Sequence, residues 1–286
     1  MRVAYLGPPG TFSEDALRAA IGDEEVEAVP SASVYDAIVA VRGGKADRAL
    51  VPFENAIEGA VTATLDTLAF DADGLTLVGE YDLSIRHCLI AREEIPLQRI
   101  EVVLSHPQAS AQCARFIRES LPQAEVRAAP STAEAVRTVA ESDRPWAALG
   151  AESAARLYGA AVLMHGVEDE TDNITRFVWV AREGSTPSGS GPWRTSLVFS
   201  ELGEDHPGAL VEALQAFSSR EVNLTRIESR PLRRGLGRYQ FFLDIEGAAG
   251  DEPLASAIEG LRSKAETVRV LGSWPIAAPP GVPGAG

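Results

Sequence analysis

The chain has 286 residues, 45% of them hydrophobic and 23% charged, an ordinary globular composition with enough apolar residues for two or three packed domains. Its formal net charge of -15 repels nucleic acid and anionic membrane at long range, so neither is expected as a partner. No apolar run reaches membrane-spanning length, no basic-then-apolar leader follows Met1, Cys88 and Cys113 lack CxxC spacing, and His87, His106, His165 and His206 show no metal-ligand pairing. These features point to a soluble, cytoplasmic protein with buried free thiols, no disulfide framework and no metal site.

In chain order, apolar runs predict strands at Val3 to Leu6, Val26 to Val29, Arg48 to Val51, Leu75 to Glu80, Ile85 to Ala91, Val102 to Leu104, Val126 to Ala128, Trp146 to Leu149, Ala161 to Met164 and Arg176 to Ala181. Helical periodicity fits between them at Ser13 to Ile21, Ser33 to Arg42, Ile57 to Leu68, Pro107 to Ser120, Thr132 to Glu141 and Ala151 to Tyr158. This alternation is the pattern of an α/β layer fold. The run from Leu75 to Ala91 is long for one strand. It is expected to carry the chain between two lobes, with crossings near 80–86 and 166–175 and a ligand cleft between them. Residues 1–182 would form this two-lobed domain, and the Gly/Ser/Pro stretch 183–193 a linker. Over 194–275 the predicted order is βαββαβ, the ferredoxin-like split unit. The Pro/Ala/Gly-rich residues 276–286 are expected to form a disordered tail.

Several motifs fall where strands become helices. Gly7-Pro8-Pro9-Gly10-Thr11-Phe12-Ser13 reads either as a structural turn capped by Ser13 or as a loop whose backbone N–H groups meet a carboxylate. Only Lys45 and Lys264 are lysine among 26 basic residues, so an anionic ligand must be met by local arginine or backbone donors. In Val51-Pro52-Phe53-Glu54-Asn55-Ala56-Ile57-Glu58-Gly59, Asn55 suits the cap of a helix running on from Ile57, and Glu54 belongs either to the ligand face or to the surface. Ser105 would offer its hydroxyl at the next helix start, with Gln112 a further turn along; His106 lacks an acidic orienter and reads as structural or substrate-orienting. In Asn173-Ile174-Thr175-Arg176-Phe177 a hydroxyl and a guanidinium adjoin at the start of a strand. They either grip a small anionic substrate together or alternate in and out of an ordinary strand. In the last domain, Gly208-Ala209-Leu210 opens a helix and Glu228-Ser229-Arg230-Pro231 ends a strand. These form a pocket for the charged ends of an amino acid or, in the plainer reading, a cap and an edge proline.

Taken together, GPPGTFS (7–13), VPFENAIEG (51–59), SHPQASAQC (105–113), GAESAARLYG (150–159), NITRF (173–177), HPGAL (206–210) and NLTRIESRP (223–231) closely resemble the prephenate dehydratase family in its monofunctional form. The resemblance implies a periplasmic-binding-protein-like catalytic domain of two lobes over 1–182, an ACT regulatory domain over 194–275, and conversion of prephenate to phenylpyruvate, water and carbon dioxide without a cofactor. It assigns Thr175 to the departing hydroxyl, Glu54, Asn55, Ser105 and Gln112 to orienting the ring and its hydroxyl, Arg176 to a substrate carboxylate, Thr11 and Ser13 to closing the site, and Phe177 to substrate binding. It further implies feedback by L-phenylalanine held between subunits at Gly208, Ala209, Leu210 and Glu228 to Pro231, in a homodimer or homotetramer joined through ACT domains. One departure is Ala56, where the family commonly has serine. Arogenate, the aminated substrate, and a non-catalytic amino-acid sensor are the alternatives.

Overall fold

The computed structural model describes residues 1–187, 189, 191–202 and 206–276; residues 277–286 of the expected tail lie outside them. The elements run β1 (Arg2–Leu6), α1 (Phe12–Ile21), β2 (Glu27–Ser31), α2 (Val34–Arg42), β3 (Arg48–Asn55), β4 (Gly59–Ala60), α3 (Thr62–Phe70) and β5 (Leu75–Ser84). Next come β6 (Cys88–Ala91), β7 (Val102–Ser105), α4 (Pro107–Gln112), α5 (Ala114–Ser120), β8 (Glu125–Ala128), α6 (Thr132–Ala140), β9 (Trp146–Gly150), α7 (Glu152–Tyr158), β10 (Ala161–His165) and β11 (Ile174–Arg182). The chain finishes with β12 (Trp193–Ser200), α8 (Ala209–Ser218), β13 (Leu224–Pro231), β14 (Tyr239–Glu246), α9 (Leu254–Arg262) and β15 (Thr267–Pro275). Contacts divide it into two compact units: Met1–Ala37, Leu50–Val61 and Asp82–Phe177 form the first; Ile38–Ala49, Thr62–Tyr81 and the chain from Val178 onward form the second.

In the first unit, β2, β1, β3 and the start of β11 lie side by side, with β1 and β2 parallel. A second sheet has the order β10-β6-β9-β7-β8. Its inner strands β6, β7 and β9 are buried on both faces, because successive residues of one strand enter opposite cores, whereas the edge strand β8 is exposed. Ile90, Val102 and Ala148 pack under α6 and α7 with Val136, Val139 and Ala154. Their neighbours Leu89, Val103 and Ala147 pack with Ile117 of α5 and Leu121 just after it. Cys88 and Cys113 are buried free thiols, and burial pushes them up to about 11 and about 12.

Three elements depart from the sequence reading. The expected strand Ile85 to Ala91 splits, since β5 ends at Ser84 and β6 begins at Cys88. At the split, Ile85 N–H donates to Asn173 O, while the Glu168 carboxylate accepts from the Arg86 guanidinium and the His87 N–H, each at 2.8 Å. The expected helix Ile57 to Leu68 begins only at Thr62, because Gly59 adopts φ +82° and turns β4 back onto β3. The expected helix Pro107 to Ser120 breaks at Cys113 (φ -117°, ψ 20°). There the Asp169 carboxylate accepts from the Arg115 and Phe116 N–H groups, capping a fresh helix start, and Asp169 N–H donates to Gln112 O. The break leaves Gln112 at the end of its own short helix.

The second unit carries the expected βαββαβ order, with the sheet arranged β13-β14-β12-β15-β5. One face is sealed by α8 and α9: Leu197, Phe199, Leu243 and Ile245 meet Ala213, Phe217, Ile258 and Leu261. β15 pairs with β5 in parallel through Gly272↔Leu77, an approach so close that a Cβ at residue 272 would lie 2.2 Å from Leu77 O.

Candidate active site

The two sheets of the first unit present a cavity of about 630 Å³. Its wall includes Thr11, Phe12 and Ser13 after β1, Asn55 at the end of β3, His87 between β5 and β6, and Thr175 and Phe177 on β11. His106 and Gln112 add the two ends of α4, and Ser131 and Thr132 the start of α6. Three helix starts therefore reach one cavity, where backbone N–H groups favour an anion without any lysine.

Polar direction in this wall is fixed from the backbone outward. Asn55 Oδ1 accepts from the N–H groups of Ile57 (3.0 Å) and Glu58 (2.9 Å). A backbone nitrogen only donates, so the oxygen and nitrogen of this side chain cannot be exchanged. Asn55 Nδ2 is then the donor to Asn173 Oδ1 (2.7 Å) and to Thr175 Oγ1 (2.9 Å). Thr175 Oγ1 accepts, which leaves its own proton to be donated elsewhere. Gln112 Oε1 lies 3.0 Å from Asn173 Nδ2 and 3.1 Å from His87 Nε2, and Gln112 Nε2 donates to Glu58 Oε1 at 3.3 Å. His87 is 2% exposed, with the Phe12 ring edge-on at 5.1 Å. Burial lowers its pKa against the opposing pull of the Gln112 hydrogen bond and the Glu168 charge.

Of the residues expected at the site, Asn55, Gln112, Thr175, Thr11, Ser13 and Phe177 come together on this wall, while Glu54, Ser105 and Arg176 do not line it. The strand pleat explains two of these. Neighbours along a strand face opposite ways, so Arg176 turns from the side of Thr175, as Glu54 does from that of Asn55. They meet each other instead at 2.6 Å, with Arg176 over the Phe53 ring. Ser105 is fully buried and its hydroxyl donates to Leu149 O. Ser13 is not the helix cap: α1 starts at Phe12, Thr11 holds the cap position, and the Thr11 hydroxyl donates to Leu6 O and Pro8 O. Asn55 caps a hairpin turn rather than a helix. Ala56 is exposed and engages through its backbone, donating to Ile174 O. Sequence reasoning missed His87 and Asn173. Asn173 stood in the NITRF motif without a role, and the one signal for His87 was a polar residue inside an apolar run.

In the second unit, Gly208 (φ +99°) precedes α8, Ala209 and Leu210 begin it, and Glu228 to Pro231 end β13, an outer strand of the sheet. The Arg230 guanidinium donates to both Asp66 carboxylate oxygens at 3.1 and 2.9 Å, and Arg233 adds a third bond. Burial pushes Asp66 up, but these two guanidinium groups outweigh it and hold the carboxyl below its ordinary value.

The prephenate dehydratase family model matches residues 3–185 and the ACT domain model residues 201–263. A prephenate dehydratase of Mycolicibacterium vanbaalenii is 42% identical, over 97% of this chain and 94% of its own. The crystal structure of prephenate dehydratase from Arthrobacter aurescens in complex with L-Phe superposes with a TM-score of 0.87 at 40% identity, covering 96% of this chain and 90% of that one. GqqA, described as a novel type of quorum-quenching acylase, superposes at 0.84 with 33% identity, over 97% and 98%. With the dehydratase model spanning more than half its length, and relatives of this identity over nearly all of it, the chain belongs to the prephenate dehydratase family and carries an ACT domain after the dehydratase region.

Proposed function

We propose that the chain removes water and carbon dioxide from prephenate to give phenylpyruvate. The bond from the ring to its carboxylate breaks, that electron pair aromatises the ring, and the ring hydroxyl departs with one added proton as water. The observation that carries this reading is the direction of the Asn55–Thr175 hydrogen bond. A threonine hydroxyl is a weak acid, but an amide N–H aimed at its oxygen stabilises the charge that grows there as the proton moves to the leaving group. The helix starts around the cavity suit the substrate's two carboxylates.

L-Phenylalanine is the proposed inhibitor, held at Gly208 to Leu210 and Glu228 to Pro231, as the complex of the Arthrobacter aurescens relative supports. The regulatory part would span 194–275, joined to a catalytic part over 1–182 by 183–193. The outer position of β13 and its exposed Ile227 support assembly of two or four copies through these sheets. The likeness to GqqA raises acyl hydrolysis as a second activity. A nucleophile, however, needs a base to take its proton, whereas Thr175 Oγ1 receives an amide donor.

The deciding assay is phenylpyruvate formation from prephenate at near-neutral pH, with and without L-phenylalanine, with arogenate and an N-acyl substrate run alongside. Turnover suppressed by phenylalanine supports both proposals, and unsuppressed turnover sinks the regulatory one. No turnover of prephenate with turnover of a control substrate reassigns the site.

A further inference from the structure

The chain of side-chain bonds that reaches Thr175 also runs the other way, and there it determines the state of a histidine. Asn173 Oδ1 accepts from Asn55 Nδ2, so Asn173 Nδ2 is the donor to Gln112 Oε1 and Gln112 Nε2 the donor to Glu58. Gln112 Oε1 is thus an acceptor, and the His87 Nε2 that faces it at 3.1 Å must carry a hydrogen. His87 Nδ1 is buried and has no hydrogen-bond partner among the described residues. With the proton on Nε2, one acceptor goes unpaired. With it on Nδ1, a donor is unpaired and two acceptors face each other across 3.1 Å, which is worse on both counts.

We propose that His87 is a positioning residue of the elimination: as the Nε2–H imidazole it locks the Gln112 amide, so that Gln112, like Thr175, meets the substrate as a hydrogen-bond donor. Two donors on one wall match a reaction that expels a hydroxyl group and accumulates negative charge on it. Without His87, the Gln112 amide is held by Asn173 alone on that side and can turn its oxygen into the cavity. The kinetic side of this inference rests on the dehydratase reading; the tautomer does not.

The experiment has two arms. Long-range nitrogen–proton NMR on the full chain labelled with ¹⁵N-histidine, without substrate and at neutral pH, is expected to show His87 with Nε2 protonated and Nδ1 bare, the His87→Gln variant supplying the assignment. A ring with its proton on Nδ1, or a doubly protonated one, overturns the inference. In the kinetic arm, His87→Phe keeps a flat ring but no donor and is expected to lower kcat about tenfold, the size of one hydrogen bond, with KM within about twofold. His87→Gln places an amide nitrogen near the Nε2 position and is expected to recover most of the loss. Equal impairment of the two variants overturns the positioning role. Should His87→Phe fail to fold, His87→Asn, whose amide is too short to reach that position, takes its place. A parent enzyme inactive on prephenate would count against the dehydratase reading, while the nitrogen spectrum still decides the tautomer.

Discussion

Replacing Thr175 by alanine removes a hydroxyl whose oxygen the Asn55 amide holds. Turnover of prephenate in Thr175→Ala is expected to fall about 10²- to 10⁴-fold, the usual contribution of a positioned proton donor, with little change in the Kd of a non-reacting substrate analogue measured by calorimetry. Equal turnover in variant and parent removes Thr175 from the mechanism. His87 makes a separate prediction. Burial sets its folded pKa below the ordinary value, so the stability it contributes is present above the unfolded value of about 6.5 and is lost as pH falls toward the folded one. Urea midpoints followed downward from neutral pH should drop through this window in the parent and flatten in His87→Gln; parallel curves would show that other groups set the slope. Which single residues the sequence could place follows the same physics. Asn55, Gln112 and Thr175 were legible because each stands in a distinctive motif at the end of an element. Glu54 and Arg176 fall outside the cavity wall because a motif does not say which neighbour in a strand faces the cavity, and His87 stayed hidden because its contact is with Gln112, remote in sequence.

At the scale of elements, strands and helices were found to within a few residues wherever apolar periodicity alone decides them, as in β7, α6 and the whole of β12 to β15. The three departures share a cause: each is imposed by a contact from far along the chain. Asp169 breaks the helix at Cys113, Glu168 gathers the backbone between β5 and β6, and Ala56 is tied to Ile174. No local propensity encodes such partners. Gly272 also belongs here, since β15 and β5 pair through it. Gly272→Ala forces a methyl group to within 2.2 Å of Leu77 O, and stability to urea is expected to drop by about 1 to 3 kcal/mol, as for overpacked cores. An unchanged midpoint would mean that the pairing of β15 with β5 is dispensable.

For the whole molecule, a net charge of -15 opposes the approach of a substrate with two carboxylates, while the helix starts that favour it act only at short range. Salt should therefore help. Between about 0.01 and 0.15 M ionic strength the screening length falls from about 30 to 8 Å, and kcat/KM for prephenate is expected to rise; a fall would reveal attractive steering by some local basic surface. The interleaving of the two compact units has a consequence for synthesis. The first is complete once Phe177 has been made, although stretches of the second, Ile38–Ala49 and Thr62–Tyr81, were made earlier. Leu77 must wait for Gly272 before its strand gains that neighbour. On the ribosome, the wall that carries Thr175 can close while β5 still lacks its later partner, so a nascent chain stalled before β15 would hold a formed cavity in the first unit and an unfinished sheet in the second.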